Sequence, residues 1–344
     1  MNVKKFELFF ELMLKSSLLS LLLSCNIINQ NKSNTMKIDW LPTESAYSVF
    51  PMMISEGYFT DENNAIVTLH KNKLAFNGWA NVGSTIITDF KKKNIPVKLS
   101  FKWYSLIEDK SFGADIELNT NKIVSILAQH NTENEQFYFT VGMAPKGMLY
   151  LWIKCDGVTE LVQTCQANQI EKEWKVLFPE ISMEKESFIG KSLGQILTKE
   201  QIDSSKLILG SDSNIWKNRN LNNFGINYSV ETDAPIDNAT VLFFDGELNS
   251  FNLQGNKFDE KFANINSVPK SINFYWIENN KKLNLEMSFD EDELFKSIDK
   301  LKSSQSINLQ LIMSILKTGA VQIIMKNDAE FYEFKKVKSK LIMY

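Results

Sequence analysis

Gly190-Lys191-Ser192-Leu193-Gly194 is the stretch of this chain that matches the spacing of a nucleophilic serine, G-x-S-x-G. Such a serine works from a strained strand-to-helix turn, with a histidine base that follows it in the chain. The chain has two histidines, His70 and His130, and both precede Ser192. Met183 to Ile189, just upstream, also lack the alternation of a strand. The motif therefore reads as a decoy, and no catalytic residue and no enzymatic activity are expected. The same residues fail as a phosphate loop, because G-x-x-x-x-G-K-[ST] needs glycine where Lys185 stands. Two isolated histidines with no Cys/His spacing give no zinc motif, so neither a metal nor a cofactor is expected. Carboxylates occur together at Asp245 with Glu247 and along Asp290 to Glu293. The second group reads as a helix start, where negative charge favours the dipole.

The chemistry that the sequence does assign belongs to Cys25. Leu21-Leu22-Leu23-Ser24-Cys25 closes a short apolar run behind Lys4 and Lys5. This is the arrangement of a bacterial lipoprotein signal, cut before the cysteine, whose new N-terminus then carries lipid. The uncharged run from Ser16 to Ser24 is far shorter than the about 20 residues a membrane span needs, so it reads as a signal segment. Two or more acyl chains give stable attachment where one does not. Residues 26–36 are polar and Asn-rich, as a flexible tether would be. Asn26 follows the cysteine, rather than the aspartate of inner-membrane retention, and no acidic export cluster comes after it. The expectation is a protein lipid-anchored through Cys25 to the periplasmic face of the outer membrane, and not transmembrane.

The whole chain has a net charge of −3, which becomes −4 without residues 1–24. No basic field is available for a nucleic acid, so none is expected as partner. Beyond Cys25 the cysteines are Cys155 and Cys165. Leu149 to Lys154 and Val158 to Thr164 read as strands around Asp156-Gly157, a strong hairpin signal. That register sets Cys155 opposite Val158 and leaves Cys165 about 20 Å away, so two free, apolar-like thiols are predicted.

A search for repeats organises the rest. Pro96-Val97-Lys98-Leu99-Ser100-Phe101-Lys102-Trp103 returns as Pro269-Lys270-Ser271-Ile272-Asn273-Phe274-Tyr275-Trp276, at an offset of 173. Gly147 to Asp156 returns as Gly319 to Asp328, at an offset of 172. Between these blocks Ile116 and Leu118 align with Met287 and Phe289, and helices are predicted over Asn121 to Gln129 and Glu291 to Leu301. Asp290 can cap the second helix, with Glu293 three residues on as in a capping box. Upstream, Ile38-Asp39-Trp40 and Gly57 align with Ile226-Asn227-Tyr228 and Gly246. The expected fold is α+β and dominated by antiparallel β-sheet, as two tandem copies with one main helix each. The expected domains are signal 1–24, lipidated cysteine and tether 25–36, first repeat 37–170, partly helical connector 171–223 and second repeat 224–344.

In both copies the Leu99, Phe101 and Trp103 positions are apolar and read as core. Trp152 becomes Ile324 in the second copy and reads as packing. The first copy carries an insertion, Asn77-Gly78-Trp79-Ala80-Asn81-Val82-Gly83-Ser84, and there Asn77, Trp79 and Asn81 are candidate binding residues. A loop indole can meet a sugar or a protein, or fold back as a lid over the sheet.

Asn77-Gly78-Trp79 with Gly83-Ser84, then Trp103-Tyr104-Ser105, Val141 to Gly147, Leu151-Trp152 and Trp174 resemble domain of unknown function 2931. This is a family of bacterial lipoproteins frequent in Bacteroidota. Ala80 and Lys146 stand where that family usually has glycine. The resemblance implies a lipid anchor, and neither an activity nor a cofactor. Some lipoproteins similar to this family sit beside secreted-toxin genes, which implies an immunity-type role by analogy. The expected function is a non-enzymatic binding protein with a protein partner; the alternative is a glycan- or lipid-binding accessory protein of the cell envelope.

Overall fold

The computed structural model describes residues 36–86, 92–210, 225–254, 257–258, 268–302 and 308–344. The signal, Cys25 and most of the tether lie outside these residues. In the first half the strands are β1 (Lys37–Ala46), β2 (Met52–Thr60), β3 (Ile66–Thr68), β4 (Leu74–Ala75), β5 (Lys92–Asn94), β6 (Lys98–Ser105) and β7 (Lys110–Glu117). Helix α1 (Thr120–Leu127) follows, then β8 (Gln136–Ala144), β9 (Met148–Cys155), β10 (Val158–Gln166) and β11 (Asn168–Gln169). The connector holds α2 (Trp174–Leu177), α3 (Lys185–Ile196) and α4 (Lys199–Gly210). The second half runs β12 (Gly225–Thr232), β13 (Ile236–Phe243), β14 (Leu248–Gln254), β15 (Lys257–Phe258), β16 (Pro269–Glu278) and β17 (Lys281–Ser288). It ends with α5 (Glu291–Lys302), β18 (Asn308–Ile315), β19 (Val321–Lys326), β20 (Phe331–Glu333) and β21 (Lys338–Met343). Strands dominate, most pairs are antiparallel, and the sheets are open.

The alternation in β6 buries Leu99, Phe101 and Trp103 almost completely, and in β16 it buries Ile272, Phe274 and Trp276. Their neighbours correspond too: Leu99 pairs with Ile116, and Ile272 with Met287. Leu118 N–H donates to Val97 O, and Phe289 N–H to Lys270 O. Each half then places a helix with three buried apolar residues: Ile123, Ile126 and Leu127 in α1, and Leu294, Ile298 and Leu301 in α5. Pairing order repeats as well, since β1 runs parallel to β8 ahead of β9 and β10, and β12 runs parallel to β18 ahead of β19 and β20. Those parallel pairs interrupt the otherwise antiparallel ladders. In the first half, Trp40 of β1 meets Phe59 of β2 edge-on at 5.5 Å, so the two sheets face one another across the core.

Two expected correspondences fail. Gly57 lies inside β2 opposite Phe101, where the second half sets Ala239 opposite Phe274, whereas Gly246 lies in the β13–β14 turn. Asp290 does cap α5, accepting from Glu293 N–H at 3.0 Å. Glu293, however, does not complete a capping box. Its carboxylate accepts Lys335 N–H and Lys336 N–H, both at 2.9 Å, tying the segment after β20 to the helix start.

The halves share one sheet, in the order β21-β17-β16-β13-β14-β10-β9-β8-β1-β5. Ala80 and Lys146 keep the backbone geometry that glycine would favour, at φ 57° and 61°. For a residue with a Cβ, that conformation costs roughly 1–2 kcal/mol. Lys146→Gly relieves it, against about 0.4–1 kcal/mol by which the greater freedom of glycine favours the unfolded chain. The variant should gain about 0.5–1 kcal/mol in equilibrium urea unfolding; an unchanged or lower midpoint contradicts the strain.

Candidate functional site

The structure brings Asn77, Trp79 and Asn81 together in one loop pinned to the end of β1. Asn77 Nδ2–H donates to Glu44 O at 3.1 Å and to Asn81 O at 2.7 Å, and Asn81 Nδ2–H returns to Asn77 O at 3.0 Å. Short amide side chains bond nearby backbone readily and so stabilise irregular loops. Ser45 Oγ–H donates to Gly78 O at 2.8 Å. Further along, Ser84 N–H and Oγ–H both reach Glu44 Oε1 at 2.8 Å, which satisfies a buried carboxylate.

Trp79 folds back onto the sheet. It stacks on Tyr47 with ring centroids 4.2 Å apart and planes 6° from parallel, and it meets Tyr150 and Trp152 edge-on at 4.6 and 4.8 Å. Beneath it, Trp152 is fully buried. A Cβ at Gly142 would lie 2.2 Å from the Trp152 ring, and one at Gly246 would lie 2.7 Å from Ala80 Cβ and 3.0 Å from that ring. Trp152 Nε1–H donates to Asp245 O at 3.1 Å across the two halves. Glu247 Oε1 accepts Leu161 N–H at 2.9 Å, and Asp245 Oδ1 accepts Glu247 N–H at 3.0 Å. The Asp245/Glu247 pair is thus a clasp between the halves. Lys154 Nζ closes the loop by donating to Ala80 O at 2.9 Å, and burial holds its pKa below the usual lysine value.

Ser192 lies inside α3, buried, with no strand leading into it. The geometry of a nucleophile elbow is absent there.

A second group of side chains is brought together from positions that share no sequence motif. His130 follows α1, Glu135 precedes β8, Cys155 ends β9 and Glu160 lies on β10. Their atoms converge: His130 Nδ1 is 3.2 Å from Glu135 Oε2, and Cys155 Sγ–H donates to the same oxygen at 3.0 Å. His130 Nε2 faces Glu160 Oε1 at 3.6 Å. Burial and the neighbouring Glu135 push the Cys155 thiol up to about 12. The Cys155 hydrogen bond is the main influence holding Glu135 below the usual carboxylate range. One donor atom each from His130, Glu135 and Cys155 lies within 4.8 Å of the others, a grouping in space that no zinc-ligand spacing in the sequence announces. The β8–β9–β10 ladder makes it, placing Cys155 beside the turn that holds His130 and Glu135. Cys155 does pair with Val158, and both Cys155 and Cys165 are free thiols.

A cleft of about 360 Å³ opens beside the start of β1. Trp40, Phe59, Ile66 and Val67 form apolar walls, and Lys37 and Lys92 line it. No helix among the described residues is long and apolar enough to cross a membrane.

A family model described as Protein of unknown function (DUF2931) matches residues 28–191, which take in the Trp79 loop, the His130 cluster and the first half of the fold. No curated protein and no solved structure matches the chain.

Trp79→Ala should cost about 3 kcal/mol in urea unfolding, as deletion of a packed aromatic does. A loss below about 0.5 kcal/mol, the usual range for surface substitutions, would mean that the indole is a solvent-facing contact and not part of the packing.

Proposed function

Because residues 28–191 belong to the DUF2931 family of proteins of unknown function, we propose, from this chain's own features, a lipid-anchored, non-enzymatic binding protein of the cell envelope. It is held through Cys25 on the periplasmic face of the outer membrane, and its two β-rich halves are tandem copies. The matched pairings around Leu99 and Ile272 support the duplication. The immunity-type form of this reading, in which the partner is an incoming toxin, rests on analogy alone.

One observation carries the binding role. The tether leads into β1, beside the β5 edge of the long sheet, and β21 forms the opposite edge. With strands about 4.8 Å apart, ten of them set the two edges roughly 40 Å apart along the sheet. At that far edge Ile277, Met343 and Tyr344 are 58%, 58% and 73% exposed. Ile277 and Tyr344 share one face, on either side of Lys282, since Lys282 pairs with Ile277 and its O accepts Tyr344 N–H, whereas Met343, opposite Leu283, lies on the other face. Lys338 and Lys340 on β21 discourage pairing between copies, leaving exposed Ile277 and Tyr344, with Lys282 between them, for a different protein.

The alternative reading, a glycan- or lipid-binding accessory protein, is favoured by the cleft at Trp40 and Phe59. Its apolar walls and lysines suit an acyl chain with an anionic head.

Full-chain protein and an Ile277→Asp/Tyr344→Asp variant, matched by circular dichroism, can each be used to capture partners from native envelopes. The variant should retain at most about a tenth of the wild-type protein partner, the effect of burying charge in an interface. Equal capture of a protein by both overturns the assignment of this edge. Equal capture of a lipid or glycan supports the alternative.

A further inference from the structure

The group around Cys155 has a use outside partner binding. We propose that His130 Nδ1, Glu135 Oε2 and Cys155 Sγ form a Zn²⁺ site, with Glu160 as a positioning residue behind the imidazole.

Spacing is the first support. Zinc takes nitrogen at about 2.0–2.1 Å, carboxylate oxygen at about 2.0–2.2 Å and thiolate sulfur at about 2.3 Å. Tetrahedral ligands at those lengths lie roughly 3.3–3.7 Å apart. The observed separations of 3.2 Å for Nδ1···Oε2 and 3.0 Å for Sγ···Oε2 need a small outward adjustment to admit the ion, and Nδ1 and Sγ lie within 4.8 Å of one another. One nitrogen, one sulfur and one oxygen donor make a mixed set that suits zinc and does not suit magnesium or calcium, which take oxygen ligands.

The outer partners are the second support. A metal-bound histidine generally gives its other ring N–H to a carboxylate, fixing tautomer and orientation. Glu160 Oε1 faces that second nitrogen at 3.6 Å from Nε2, an ion-pair separation that would have to shorten to make this hydrogen bond. Glu135 is fixed in the same way, since its Oε1 accepts Asn131 N–H at 3.3 Å and Oε2 is left to face the other donors. The donors sit on firm ground: His130 packs edge-on against Phe137 at 5.7 Å, and Cys155 closes β9 next to the Asp156-Gly157 turn.

Binding forms a Zn–S bond as Cys155 releases its proton to water, with His130 neutral and Glu135 ionised; nothing is oxidised or reduced. Three protein donors leave a fourth position for water or for a partner's side chain.

The test uses the full chain in detergent, stripped of metal and titrated with Zn²⁺ against a chromogenic chelator, then with Co²⁺ as a spectroscopic substitute. One Zn²⁺ per chain should bind, and the Co²⁺ form should show tetrahedral bands with a thiolate charge-transfer band. Cys155→Ser should remove that band. Glu160→Gln should keep it while weakening Zn²⁺ affinity about 10–100-fold, as loss of an outer partner does. Absence of Zn²⁺ binding overturns the site, and so does a wild-type Co²⁺ complex without the thiolate band, whatever the variants do. Zn²⁺ binding unaffected in folded Cys155→Ser would place the ion elsewhere and equally overturn it.

Discussion

The long sheet is continuous through a single registered pair between β10 and β14, Thr159 opposite Leu248. One residue pair cannot by itself hold the two halves together. Burial of the Trp152 ring carries the join: Gly142 leaves it room from its own sheet, Gly246 from the other half, and Trp79 closes over it. Polar contacts then fix the direction, as Trp152 donates to Asp245 O and Glu247 accepts from Leu161. An aromatic side chain fitted into glycine-made space tolerates little displacement, so the halves are set at one angle and the Trp79 loop is set with them.

The same ladder in the second half lacks this packing. At the offset of 172, Gly142, Tyr150 and Trp152 become Ser314, Gln322 and Ile324. Gln322 is exposed and Ile324 only half-buried. Cys155 likewise becomes Asn327, whose Nδ2–H donates to Leu301 O at 2.7 Å and so satisfies the end of α5. The first half puts a thiol at that position and turns it towards Glu135. Both halves bury apolar residues along β6 and β16, while the residues at positions 152 and 155 differ in type and burial from those at 324 and 327.

Local features were the ones legible in the sequence. Strand alternation at Leu99-Phe101-Trp103, the Asp156-Gly157 turn and the Asp290 cap are local, and each is found as expected. The equivalence of Gly57 and Gly246 rested on residue type alone. Gly57 makes room for the Phe101 ring inside a strand, whereas Gly246 turns the chain at φ 93°. Glu293 has capping-box spacing, but two unpaired backbone N–H groups at Lys335 and Lys336 compete for its carboxylate and win. The expectation of glycine at positions 80 and 146 drawn from the resemblance was a better guide, since both positions are left-handed even with side chains present.

The His130 group was hidden for a different reason. Metal-ligand motifs are legible when their donors share one turn or helix, as in C-x-x-C or H-x-x-x-H. Here one turn between α1 and β8 gives His130 and Glu135, five residues apart, and the third donor, Cys155, comes from a hairpin end twenty residues further on, so the set has no recognised ligand spacing. The usable signal was structural, the register Cys155↔Val158. That register sets Cys155 at the end of the sheet where α1 returns the chain to β8. An Asp-Gly hairpin that ends on a cysteine, next to a loop carrying histidine and glutamate, brings sulfur, nitrogen and oxygen to one point. Interior packing does not require three ionisable groups there, because the corresponding position in the second half is closed by one asparagine bonded to a carbonyl.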